Sequence, residues 1–124
     1  MAGEANLEQA QRAYAAFSAG DAAGAMANIA DDIEWITPGR SSVSGTIRGK
    51  DAVGALWAKF AEKGFTTKPE YWFSDEDRVV VLTHVALAGE EADAADVLTY
   101  RDGKLVKFQT AGDTAMLERI FPAG

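Results

Sequence analysis

Two β-rich runs separated by a short polar turn occupy residues 78–100 and constrain the fold more than any other stretch. The turn contains glycine, which is a hairpin signal. With residues 89–91 as the loop, Ala88 lies opposite Ala92, and the same register places His84 opposite Asp96. Opposed side chains share one face of a sheet, with Cβ atoms about 4.5–5.5 Å apart. The sequence therefore predicts that its only histidine and a strand aspartate are neighbours.

The composition is that of one globular domain over residues 1–124. The formal net charge of -7 disfavours a nucleic-acid partner, because duplex binding requires clustered Lys and Arg. It also disfavours an anionic membrane surface, and no apolar run approaches the roughly 20 residues of a membrane span. The N-terminus does not have the pattern of a signal peptide. We therefore expect a soluble, cytoplasmic protein that binds neither nucleic acid nor membrane.

The histidine and cysteine content argues against a metal or a cofactor. There is one histidine and no cysteine, so thiolate chemistry and disulfides are excluded and a metal site has too few ligands. No glycine-rich phosphate loop follows a strand. We expect no metal and no cofactor.

Helical patterns come first and strand patterns follow. A helix over residues 6–19 is predicted to begin at Asn6, with Gln9 completing a capping box. A short helix follows Asp21, and a third helix covers residues 50–63 after a strand at residues 33–37. The remaining strand patterns lie at residues 65–73, 78–88, 92–100 and 105–111, and Asp113 is predicted to cap a last helical turn. This order predicts an α+β fold, in which a curved antiparallel sheet wraps three helices around a conical cavity.

Four stretches carry a family resemblance: residues 14–21, 30–35, 45–53, and 100–106 with Asp113 after them. They resemble the nuclear transport factor 2-like (NTF2-like) superfamily and, within it, the SnoaL-like polyketide cyclase group. The resemblance implies a cone-shaped, cystatin-like α+β barrel, usually a homodimer through its outer sheet face. Relatives include ketosteroid isomerase, limonene epoxide hydrolase, scytalone dehydratase, polyketide cyclases and non-catalytic binding domains.

The resemblance narrows the chemistry residue by residue. Where ketosteroid isomerase has its proton-transfer Asp, this chain has Thr37. The oxyanion Tyr of that enzyme falls near Ala13, one position from Tyr14. Its oxyanion-hole Asp matches Asp96. The last acid of the epoxide hydrolase falls at Thr110, which disfavours that activity. Polyketide cyclases place an acid beside a histidine, and His84 with Asp96 would supply such a pair.

His84 and Asp96 are accordingly the predicted catalytic residues. His84 is a general acid/base candidate, since an imidazole titrates near neutrality; the alternative is a strand histidine bonded to backbone or water. Asp96 lies between apolar strand residues, so its carboxyl must pair with a donor or take up a proton. Its open roles are to orient His84, to donate or accept a proton, or to bond a tyrosine or backbone N–H groups for structural reasons alone.

An apolar small molecule is the predicted ligand. The residues predicted to bind it are Tyr14, Trp35, Thr37, Trp57, Phe60 and Phe108. Core packing is the alternative for each of them, and it is the favoured interpretation for Phe60 and Phe108. Three functions remain open: an acid/base enzyme of isomerase, cyclase or dehydratase type acting on a carbonyl compound, a non-catalytic binding module, or a dimerisation domain. In the last case, Thr83, Val85, Val97 and Thr99 are expected on the outer sheet face.

Overall fold

The computed structural model describes residues 2–123, which form the predicted helices and strands in the predicted order, with one additional short strand. The elements are α1 (Ala2–Ser18), α2 (Ala22–Met26), β1 (Ile29–Thr37), β2 (Gly45–Arg48), α3 (Lys50–Glu62), β3 (Thr66–Asp75), β4 (Arg78–Leu87), β5 (Glu90–Arg101), β6 (Lys104–Ala111) and α4 (Thr114–Ile120). The predicted α+β class is confirmed.

The sheet has six strands in the order β2-β1-β6-β5-β4-β3, and it is curved but not closed. The sheet was predicted to be antiparallel throughout, but β1 pairs in parallel with β6. That pairing joins the first strand to the last strand of the meander. The short strand β2 was missed at the sequence level. Its four residues hold a single half-buried apolar side chain, Ile47, which is too little alternation to recognise.

The start of α1 differs from the prediction. The helix begins at Ala2, so Asn6 lies inside it rather than capping it. Asn6 is buried and its Nδ2 donates to the Glu76 carbonyl at 3.3 Å, a long-range tie to the β3–β4 turn. The other two predicted caps are confirmed: Asp21 accepts from the backbone N–H of Gly24 and Asp113 from that of Met116.

The β4–β5 hairpin has a different register from the one predicted. Leu87 pairs with Glu90, so the turn is formed by Ala88 and Gly89, with φ values of 52° and 83°. The register shifts by three residues, and His84 lies opposite Asp93. The predicted pairing of His84 with Asp96 is therefore wrong. A two-residue turn of this kind normally has Asn or Asp before glycine, so alanine gave no signal for it.

Because the register shifts by an odd number of residues, the faces of β4 are also reversed relative to those of β5. Asp96 faces inward, as predicted, and Val97 and Thr99 alternate to the outside. Thr83, however, is 1% exposed and Val85 shares its inner face, so their predicted placement on the outer face is wrong. The concave side of the sheet packs on α1 and α3 and carries the core.

Candidate functional site

A cavity of about 170 Å³ lies between the concave face of the sheet and the helices. Its wall is mostly aromatic and aliphatic. For scale, an apolar cavity of about 150 Å³ is enough to bind benzene. The structure places all six residues predicted to bind the ligand on this wall: Tyr14, Trp35, Thr37, Trp57, Phe60 and Phe108. Their role in binding stays a prediction.

Stacked aromatic rings form one side of the cavity. Trp35 on β1 lies directly beside Phe108 on β6, and the two rings stack with centroids 3.7 Å apart. Trp57 on α3 meets Trp35 edge-on at 5.8 Å, and Phe17 on α1 meets Trp57 at 5.2 Å. The parallel pairing of β1 with β6 thus sets the position of an apolar wall suited to a flat ring.

Asp96 places a carboxyl group on the inner face of the sheet, and it is only 7% exposed. Its Oδ2 accepts a hydrogen bond from the Tyr14 hydroxyl at 2.5 Å, and its Oδ1 accepts one from the Thr110 hydroxyl at 2.7 Å. Thr110 lies opposite Asp96 in the β5–β6 register. The carboxyl is therefore held from the helix side and from the neighbouring strand.

Burial dominates the proton affinities at this site. It raises the pKa of Asp96, and the hydrogen bonds from Tyr14 and Thr110 act in the opposite direction. Burial, with the charge of Asp96 and the hydrogen bond to it, raises the pKa of Tyr14 well above its usual value. Burial alone raises the pKa of Tyr100, which also lines the cavity. The site thus joins neutral phenols to a carboxyl group that holds its proton more tightly than usual.

His84 is not part of the cavity wall. Its half-exposed imidazole lies on the outer face, where Nδ1 is 2.9 Å from Asp93 Oδ1 and Nε2 is 2.7 Å from Glu91 Oε1. The bond to Asp93, followed by that to Glu91, raises the pKa of His84. The composition of β4 held a signal for this placement. Arg78 has the same parity as His84, whereas the opposite parity is valine, threonine and leucine throughout.

Several polar wall residues were not identified from the sequence. Thr110 is two positions after Phe108 on β6, so alternation alone would have placed it on the same face. Gln9 was assigned to a capping box, yet its Oε1 is buried and has no hydrogen-bond partner among residues 2–123. The Thr67 Oγ1 is likewise buried and has no hydrogen-bond partner among the described residues. Both residues line the cavity.

Among the residues that the structure describes, no group of three or more histidine or acidic side chains is arranged to hold a metal ion. Within the same residues, no helix has the length and apolarity to cross a membrane.

A curved open sheet folded over helices around an apolar cavity defines the NTF2-like class of proteins. Residues 10–108 match the family of SnoaL-like domains. The match covers most of the chain, and the protein belongs to that family.

Relatives and solved structures match most of the chain. An uncharacterized protein of Mycobacterium tuberculosis is 32% identical over 109 residues, which are 86% of this chain and 81% of the relative. An NTF2-like protein from Burkholderia xenovorans is 30% identical with a TM-score of 0.81, covering 96% of this chain and 97% of that one. TerC, co-crystallised with polyporic acid, is 25% identical with a TM-score of 0.83, covering 93% and 96%.

Proposed function

We propose that this protein binds an apolar, carbonyl-bearing small molecule in the cavity and performs cofactor-independent acid/base chemistry on it, of isomerase, cyclase or dehydratase type. One observation carries the proposal: the carboxyl of Asp96, whose pKa is raised by burial, lines a cavity whose wall is mostly aromatic and aliphatic. Carboxyl groups with perturbed pKa values in cavities are enriched at active sites. His84 has no part in this proposal, because its imidazole lies on the outer face.

Asp96 has capacity left to act as a base. A carboxylate has about four lone-pair sites, and Tyr14 and Thr110 each occupy one. In the proposed step, a C–H bond next to the ligand carbonyl breaks, the proton goes to Asp96, and the electron pair forms an enolate. The Tyr14 hydroxyl then no longer faces a charged acceptor and donates to the enolate oxygen. Where the enolate is conjugated with a further C=C bond, return of the proton from Asp96 to the far carbon of that system shifts the double bond and completes an isomerisation.

Two comparisons support a small organic ligand. Related proteins with the SnoaL-like fold include polyketide cyclases. TerC, which has this fold, was co-crystallised with polyporic acid.

Hydrogen–deuterium exchange tests the proposed step without knowledge of the natural substrate. The protein is incubated with 2-tetralone in D₂O, and loss of the protons next to the carbonyl is followed by NMR. We expect exchange to be about 10²–10⁴-fold slower with Asp96→Asn than with the unaltered protein. Asp93→Asn, on the outer face, is the control. Equal exchange rates with and without the Asp96 carboxyl would contradict the proposal.

A binding module without turnover is the second candidate. One observation favours it: both oxygens of Asp96 already have hydroxyl donors, as a purely structural carboxyl would. In that case 2-tetralone raises the melting temperature and is recovered intact, with the same exchange rate in the Asp96→Asn variant.

We also propose that two copies of the chain meet through the outer sheet face. Tyr71 is 63% exposed, Phe73 57% and Leu82 39%. Tyr71 pairs with Leu82 and Phe73 with Val80 in the β3–β4 register, so these side chains form one contiguous apolar patch. Contiguous exposed apolar patches are typical of interaction surfaces, and a two-fold dimer buries the same patch on both copies.

A further inference from the structure

Gln9 lines the cavity and carries a buried, unsatisfied acceptor. Its Oε1 is shielded from solvent and finds no hydrogen-bond partner in residues 2–123. Such an atom costs stability, because it has lost its bonds to water and gained none in return. A ligand in the cavity that brought a hydrogen-bond donor to this oxygen would restore the lost bond.

The location of Gln9 separates it from the Asp96 carboxyl. It lies five residues before Tyr14 on α1, which is about 7.5 Å along the helix axis. Its Nε2 is 3.6 Å from the point that a Cβ on Gly103 would occupy, so the amide lies against the β5–β6 turn. Tyr100, near the end of β5, lines the same cavity close to that turn. The cavity therefore has a second polar position, toward the β5–β6 turn.

We propose that Gln9 is a specificity-determining residue that accepts a hydrogen bond from a hydroxyl group on the ligand. The inference rests on the proposed function and specifies its substrate. A carbonyl or ether oxygen only accepts, so it leaves Gln9 Oε1 unpaired, whereas a hydroxyl satisfies it. The substrate class is then a cyclic or aromatic ketone with its carbonyl near Asp96 and a hydroxyl on the opposite side of the ring system.

The test compares 2-tetralone with 6-hydroxy-2-tetralone, which adds one hydroxyl far from the carbonyl. We expect the unaltered protein to bind the hydroxylated ketone about 3- to 10-fold more tightly, the range expected for one net hydrogen bond. Gln9→Leu should abolish this preference. Gln11→Leu is the matched control, since it makes the same change at an exposed position of the same helix and should keep the preference.

A second measurement needs no variant. The ¹³Cδ resonance of Gln9 in the unaltered protein should shift when 6-hydroxy-2-tetralone binds, and should shift much less with 2-tetralone. Equal affinity for the two ketones, or an unshifted Gln9 carbonyl, overturns the role of Gln9. Asp96-dependent exchange of 2-tetralone would still stand in that case. A protein that binds neither ketone overturns both proposals.

Discussion

The Tyr14 hydroxyl on α1 lies 2.5 Å from Oδ2 of Asp96 on β5, joining residues 82 positions apart in the chain. This hydrogen bond ties the first helix to the centre of the sheet and orients a buried carboxyl in an apolar cavity. The fold and the candidate site therefore depend on the same contact. Substitution of either residue should change both the free energy of unfolding and the titration of the site.

The pH dependence of stability should report Asp96. Burial raises its pKa in the folded protein, so the folded state binds this proton more tightly than the unfolded chain does. The resulting stability is fully present below about pH 4 and is lost as pH rises through the folded-state pKa. We expect Asp96→Asn to lose this downward slope in urea unfolding.

Asp32→Asn, at an exposed position of β1, is the control for that experiment and should keep the slope. Identical slopes for the unaltered protein and the Asp96→Asn variant would show that the carboxyl has the same pKa in both states.

Loss of the Tyr14 hydroxyl should raise the pKa of Asp96 further. The hydrogen bond from Tyr14 stabilises the charged carboxylate and so opposes the effect of burial. We expect Tyr14→Phe to move the Asp96 titration to higher pH, followed by ¹³C NMR of its carboxyl, and to cost about 1–3 kcal/mol of unfolding free energy. Tyr71→Phe, at a 63% exposed site, should do neither. An unmoved carboxyl titration in Tyr14→Phe would contradict the structure.

His84 should respond to its outer-face neighbours and not to Asp96. Its bonds to Asp93 and Glu91 raise its pKa, so its contribution to stability is present below about pH 6.5 and is lost as pH rises through the folded-state pKa. We expect Asp93→Asn and Glu91→Gln each to lower the imidazole pKa, measured by NMR of the single histidine. Asp96→Asn should leave the imidazole pKa unchanged. A shift of that pKa in Asp96→Asn would contradict the observed register and support a contact between His84 and Asp96.

The proposed homodimer should depend on the apolar patch of the outer sheet face. Phe73→Arg and Leu82→Arg each place a charge in that patch, so we expect them to convert a dimer into a monomer at micromolar concentration, measured by sedimentation. Ala58→Arg, exposed on α3 away from the sheet, is the control and should stay dimeric. A monomeric unaltered protein at that concentration rules the interface out.

Much of the candidate site was accessible from alternation within single elements. The inward direction of Asp96 was predicted correctly from its apolar neighbours on β5. Its partners were harder to find. Thr110 shares the inner face of β6 with Phe108, which local spacing shows, but its contact with Asp96 also requires the β5–β6 register. No local sequence signal places Gln9 in the cavity, because an amide at that position suits a cap, a surface or a cavity equally well.

The sequence by itself determined the order of the elements other than β2, the α+β class, two of the helix caps and most of the aromatic wall. These depend on the spacing of apolar residues and on capping side chains within a few positions, which local physics controls. Only the tertiary structure decided the register of the β4–β5 hairpin and which groups hold Asp96. The first depends on two left-handed residues at Ala88 and Gly89, and the second on how α1 approaches the sheet. Local spacing determines neither the conformation of one alanine nor a contact between distant segments, so the predicted pairing of His84 with Asp96 was wrong.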